Sequence, residues 1–174
     1  MKNIVLIGMP GCGKSTVGVL LAKSLGYDFL DTDLLIQRRA GCRLQEIIDE
    51  QGMEAFLAAE EEALCSVDVR ETVIATGGSA VYSRRGMHRL AEHGVTVWLR
   101  AELSVLEARL GDFAARGIAG ANAGDLAAIF AEREPLYARY AKITVNCADG
   151  LVGVEETRRR LVEVLSAHRM LWEK

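Results

Sequence analysis

The chain has 174 residues, half of them hydrophobic, and a net charge of −3: enough for one sizeable core, too little for two ordinary α/β domains. No basic run points to nucleic acid, since the densest cluster, Arg158-Arg159-Arg160, falls in an amphipathic stretch and reads as a solvated helix face. No apolar stretch approaches a membrane span, and the run after Lys2 is too short for a signal peptide, so a cytoplasmic protein, monomeric by its size and acidic balance, is expected. Cys12, Cys42, Cys65 and Cys147 are scattered without a C-x-x-C pair and read as buried or incidental thiols. Cys12, near a predicted helix N-terminus, is the one expected to have a lowered pKa.

In chain order, residues 3–7 form a short apolar strand. Residues 8–15 then read Gly8-Met9-Pro10-Gly11-Cys12-Gly13-Lys14-Ser15, the G-x-x-x-x-G-K-S phosphate-binding pattern. The glycines let the backbone curl so that the N–H groups of Gly11, Cys12 and Gly13 face an anion. Behind the loop, Val17, Leu20, Leu21 and Leu25 recur at helical spacing and Gly26 supplies a stop. That helix adds the N–H groups of its first turn, at Ser15 and Thr16, and its positive end. Lys14 can reach the outer phosphates, and the Ser15 hydroxyl can hold Mg²⁺. A nucleotide with Mg²⁺ is the expected cofactor, and ATP rather than GTP because no Asn-Lys-x-Asp motif occurs.

The second strand, 28–30, runs into Asp31-Thr32-Asp33. One carboxylate can serve Mg²⁺ and the other can orient or deprotonate an attacking hydroxyl; the alternative is that they cap the helix that follows. Helical patterns cover 44–51 and 54–67. A third strand, 72–75, ends in Thr76-Gly77-Gly78-Ser79, whose glycines permit close backbone approach to a ligand. A helix at 84–92, a strand at 96–99 and a helix at 103–110 follow. Residues 111–124 carry four glycines and little periodicity, and read as a mobile lid that brings Arg116 to a transferring phosphate. Arg133 precedes a helical turn ended by Pro135 and can bind a carboxylate in a bidentate way or pair with Glu132 or Glu134. A last strand, 143–146, and a helix, 154–167, complete a single domain. Strands alternating with helices imply a three-layer α/β fold with a mainly parallel sheet and ligands at the carboxyl ends of its strands.

Taken together, these features resemble the shikimate kinase family over nearly the whole chain. The resemblance rests on residues 8–15, Asp31-Thr32-Asp33, Gly52…Phe56…Glu60, Thr76-Gly77-Gly78, Arg109 with Arg116, and Arg133-Glu134-Pro135-Leu136-Tyr137. It implies a five-stranded parallel sheet flanked by helices, of the nucleoside monophosphate kinase type. The implied reaction moves the ATP γ-phosphoryl group to a ring hydroxyl of shikimate. By resemblance, Lys14 steadies the β- and γ-phosphates, Ser15 ligates Mg²⁺ with Asp31 assisting through water, and Asp33 holds the substrate hydroxyls and serves as base. Arg116 comes down from the lid, Arg109 lies against adenine, Arg133 grips the substrate carboxylate, and Gly77 and Gly78 lend N–H groups.

Departures fall at the substrate end. The family's Gly-x-x-x-Phe-Arg-x-x-Glu is here Gly52-Met53-Glu54-Ala55-Phe56-Leu57-Ala58-Ala59-Glu60, so a clamping arginine is replaced by Leu57, and a third glycine is Ser79. The lid lacks the usual Arg-Pro-Leu-Leu, and an arginine before the last helix is missing. Losing one charge-assisted bond costs about 1.5–3 kcal/mol, or roughly ten- to a hundredfold in binding. Shikimate remains the default acceptor. The alternative is a different hydroxy acid, or a hydroxy amino acid such as homoserine whose ammonium meets Glu54, Glu60 or Glu61. From another class, a non-catalytic nucleotide-binding regulatory protein is expected to show damage at Lys14, Asp33 or Arg116, and none is present.

Overall fold

Parallel pairing on both sides accounts for the continuous apolar character of the inner strands. In the computed structural model, which describes residues 2–110, 125–147 and 153–168, five strands form one sheet. They are β1 (Asn3–Ile7), β2 (Asp28–Asp31), β3 (Thr72–Ala75), β4 (Gly94–Arg100) and β5 (Ile143–Asn146), in the order β2-β3-β1-β4-β5 and all parallel. Every residue of β1 and β3 is buried, as strands covered on both faces require. The helices are α1 (Lys14–Leu25), α2 (Thr32–Ala40), α3 (Leu44–Cys65), α4 (Arg84–Glu92), α5 (Leu103–Leu110), α6 (Leu126–Tyr140) and α7 (Gly153–Ala167). The expected α/β architecture is the one observed. The predicted lid, with Arg116, lies outside the described residues.

Local signals act as the sequence suggests at several ends. Gly26 closes α1 in the left-handed region, its N–H donating to the Ala22 carbonyl. The two helical patterns at 44–51 and 54–67 are one broken helix, because Gly52 (φ 86, ψ 170) interrupts α3. On α7 the arginine cluster is spent on the helix's own carboxylates: Arg158 pairs with Glu155, Arg159 with Glu156 and Glu163, and Arg160 with Glu156. Among the described residues no helix is long and apolar enough to cross a membrane.

One expectation is overturned. Pro135 does not end a helical turn; it sits inside α6. A proline there forfeits one backbone bond and crowds the preceding turn. Tertiary packing outweighs that cost: Ile129, Arg133 and Tyr137, spaced four apart, bury one face of α6, and the Tyr137 ring stacks on Trp98 with centroids 5.9 Å apart. The Tyr137 hydroxyl also donates to the Gly78 carbonyl at 2.7 Å.

The main core gathers around β1 and β4. A satellite cluster of Ile36, Ile47, Phe56 and Ala63 joins α2 to α3. Helix α1 approaches the sheet closely enough that a Cβ on Gly18 would lie 2.7 Å from the Phe29 ring and 3.2 Å from Leu6. Gly18→Val should therefore overpack this contact and lose about 1–3 kcal/mol of stability, read as a lower urea midpoint at unchanged slope.

Candidate active site

Register brings the site together. Asp31 pairs with Ala75, and Ala75 with Leu6, so the ends of β2, β3 and β1 lie in one row. The loops that leave them are tied across that row. The Thr76 hydroxyl donates to the Leu6 carbonyl at 3.1 Å, and the Gly77 N–H donates to the Thr32 hydroxyl at 3.2 Å.

The phosphate loop starts at Gly8 (φ 146), where a Cβ would sit 2.5 Å from the Leu99 carbonyl oxygen, so only glycine fits flush against β4. Gly11 and Gly13 also hold positive φ, at 78 and 100. Lys14 is buried; its Nζ donates to the carbonyls of Gly8 (2.8 Å) and Met9 (2.9 Å) and to Cys12 Sγ (3.7 Å). Arg109 Nη1 donates to the carbonyls of Gly11 (3.3 Å) and Cys12 (3.5 Å). Two cations thus grip the loop by its carbonyl oxygens.

Beside the loop, the Ser15 hydroxyl donates to Asp31 Oδ2 at 2.6 Å, while Asp31 Oδ1 accepts the Asp33 N–H at 2.9 Å and caps α2. Capping and proximity to Ser15 were alternatives in the sequence; Asp31 does both, one with each oxygen. The Ser15 and Asp31 oxygens fit a hard divalent cation completed by phosphate oxygens. Burial, then the Asp31 charge, push the Asp33 carboxyl above its ordinary value, with Lys14 pulling against them. That direction suits a proton acceptor.

Arg133 is fully buried, with no hydrogen-bond partner at Nη1 or Nη2. Its Nε donates to the Tyr82 hydroxyl at 3.2 Å, and Cζ lies 5.1 Å from the Tyr82 ring centroid. The Tyr82 hydroxyl donates in turn to Glu132 at 2.7 Å. Tyr82, outside the signature motifs, gave no signal in the sequence. Glu60 is buried behind Gly77, close enough that a Cβ there would meet its Oε1. That oxygen has no hydrogen-bond partner. Burial above all, with the Asp33 charge adding, pushes the Glu60 carboxyl up to about 7 against a hydrogen bond from Ser79 and the charges of Arg133 and Lys14.

A cavity of about 510 Å³ joins these parts. Gly11, Gly13, Lys14, Ser15, Thr16, Asp33, Gly77, Gly78, Ser79, Arg109 and Arg133, all predicted, line it. Phe56, Leu44 and Gln45, unpredicted, complete the wall. Leu57 is not among the lining residues. It packs against the α2–α3 satellite cluster, to which Phe56, the neighbour that does line the cavity, also belongs. Of the carboxylates expected to meet an ammonium, Glu60 lies behind Gly77 and is not among the residues lining the cavity, while Glu54 is exposed and Glu61 accepts from Ser83 and Arg85. None supports a hydroxy amino acid acceptor.

A carboxyl near 7 in the folded chain and 4.5 in its ordinary state makes the folded state bind more protons. The stability tied to Glu60 is therefore fully present below about pH 4.5 and lost as pH rises through about 7. Urea unfolding at about pH 5 and about pH 8 should show wild type losing about 3 kcal/mol relative to Glu60→Gln at the higher pH. Parallel pH profiles of the two proteins would rule this out.

The chain is similar to known proteins. The family model described as Shikimate kinase matches residues 10–165. A Shikimate kinase of Moorella thermoacetica is 44% identical over 147 residues, covering 83% of this chain and 84% of the relative. One from Nitratidesulfovibrio vulgaris is 42% identical over 150 residues, covering 83% and 86%. Among solved structures, a shikimate kinase from Acinetobacter baumannii in complex with shikimate superimposes with a TM-score of 0.87 at 28% identity, over 96% of this chain and 94% of that one. The match runs from the phosphate loop into the last helix and takes in every strand after the first, and on that ground the chain belongs to the shikimate kinase family.

Proposed function

We propose that this protein transfers the γ-phosphoryl group of ATP to a ring hydroxyl of shikimate, with Mg²⁺. The observation that carries the reading is Arg133: a buried guanidinium with both terminal nitrogens unpartnered, on the same cavity as the phosphate loop. An uncompensated buried charge costs several kcal/mol, and a planar carboxylate is the partner whose geometry matches its fork. The family's acceptor carries such a carboxylate, and its relative from Acinetobacter baumannii was solved with shikimate bound. The relatives give no support to another acceptor.

In this reading Lys14 leaves the Gly8 and Met9 carbonyls for the β- and γ-phosphates, while the N–H groups of Gly11 to Thr16 hold the chain of phosphates. Ser15 and Asp31 would hold Mg²⁺, which would supply positive charge to offset that of the phosphates. Asp33 accepts the hydroxyl proton as the attack proceeds in line. Gly77 and Gly78 present backbone to the acceptor; a Cβ on Gly78 would lie 2.6 Å from Pro10, so this turn packs directly on the phosphate loop. Arg109 lies against adenine, and Arg116 completes charge neutralisation by family resemblance. A small acidic chain suits a cytoplasmic monomer.

Shikimate-stimulated ADP release tests this. Asp33→Asn should lower kcat about 10²- to 10⁴-fold with shikimate affinity largely kept. Arg133→Ala should instead raise the shikimate KM about ten- to a hundredfold with the ATP KM unchanged. No shikimate stimulation in wild type would sink the proposal.

Tyr82 should act through Arg133. Tyr82→Phe keeps the ring under the guanidinium and removes the hydroxyl. It should raise the shikimate KM about three- to tenfold, the worth of one hydrogen bond, at unchanged kcat. A fall in kcat at constant KM would argue against the positioning role.

A further inference from the structure

Cys12 and Cys147 are far apart in sequence and meet at the nucleotide end of the sheet. The strand order sets β1 beside β4 and β4 beside β5, so the loop leaving β1 and the residue following β5 emerge close together. The Cys147 N–H donates to the Arg100 carbonyl at 2.8 Å, which fixes this residue beside the end of β4. Its thiol donates to the Cys12 carbonyl at 3.5 Å. Lys14 Nζ reaches Cys12 Sγ at 3.7 Å. The hydrogen bond with Cys147 first, and Lys14 after it, pull the Cys12 thiol down to about 6 against burial, while Cys147 is pushed up. Cys12 is thus the more acidic thiol of the two. Cys12 is buried and Cys147 is half-buried. The phosphoryl transfer uses neither thiol.

We propose that Cys12 and Cys147 form a dithiol modification site, which a hydroperoxide oxidises to a disulfide that closes the phosphate loop to nucleotide. The Cys12 thiolate attacks one peroxide oxygen: an S–O bond forms, the O–O bond breaks, and the departing hydroxide takes the Cys147 thiol proton to become water. The Cys147 thiolate then attacks the Cys12 sulfur: the S–S bond forms, the S–O bond breaks, and hydroxide leaves to take a proton from solvent. The two sulfurs lose two electrons and the peroxide gains them. A disulfide holds its sulfurs about 2.05 Å apart, much closer than hydrogen-bonded thiols. Closing it draws Cys12 toward β5, with the flanking Gly11 and Gly13 whose N–H groups face phosphate. Lys14 also loses its thiolate partner. The consequence for nucleotide rests on the loop being the ATP site; formation of the bond does not.

The test exposes the full chain to hydrogen peroxide, with and without ATP, and reads ATP binding, free thiols and the masses of proteolytic peptides. Wild type should lose about tenfold or more in ATP affinity. It should also yield a peptide pair joined through Cys12 and Cys147, regain affinity with dithiothreitol, and react more slowly when ATP is present. Cys147→Ala should bind ATP normally before exposure and show neither the joined peptides nor a loss that dithiothreitol reverses. Both thiols still free after Cys42 and Cys65 have been oxidised would overturn the site. Joined peptides with unchanged ATP affinity would overturn the closure. Failure of the reduced protein to bind ATP would remove the nucleotide reading and the closure with it, and the peptide masses would still report on the bond.

Discussion

Everything functional in this molecule depends on five strands pointing the same way. Parallel alignment sends the loops after β1, β2 and β3 out of one end of the sheet, and the row Asp31–Ala75–Leu6 sets them side by side. The alignment alone would leave three independent loops. Two short bonds, Thr76 to Leu6 and Gly77 to Thr32, lock them into a single surface. The contact of Gly8 with the Leu99 carbonyl then presses the phosphate loop against β4, so its curl is fixed by the sheet as well as by its own glycines.

The cavity built on that surface holds two kinds of cation. Lys14 and Arg109 grip loop carbonyls, whereas Arg133 has no partner on its terminal nitrogens. Asp33 lines the same cavity, with Glu60 behind the glycine loop. Burial pushes both carboxyls upward, with the Asp31 charge adding at Asp33 and the Asp33 charge adding at Glu60. In the proposed reaction, a carboxylate on the same cavity as these cations suits in-line transfer between two anionic molecules.

Much of this was legible in the chain, and the division is physical. The five strands were evident because parallel strands buried on both faces read as apolar runs, although β4 extends to Gly94–Arg100 beyond the predicted 96–99. The phosphate loop was evident because its chemistry is local. Long-range packing was not. Pro135 read as a helix end, yet Tyr137 and Ile129 hold α6 together through it. Leu57 read as a cavity wall, but it packs against the satellite cluster. Tyr82 and Cys147 carried no motif at all, because their partners, Arg133 and Cys12, are distant in sequence and adjacent only in the fold.

The missing arginine in α3 makes the rigidity of Arg133 matter more. With Leu57 turned away, Arg133 and Arg109 are the arginines among the described residues that line the cavity, and Arg109 is bonded to the phosphate loop. A lone guanidinium has fewer bonds to offer a carboxylate, so any entropy lost in fixing it weighs more heavily. An arginine side chain carries about 2 kcal/mol of rotamer entropy, comparable to one charge-assisted bond. Here most of that loss falls on folding: Tyr82 holds Nε, its hydroxyl is held by Glu132, and Gly78 lies close enough that a Cβ would approach Nη1 to 2.9 Å. The terminal nitrogens are left presented and the stem immobile. A single clamp already ordered by folding can recover part of what a second, flexible arginine would add, and this links the change at Leu57 to the unassigned aromatic at Tyr82.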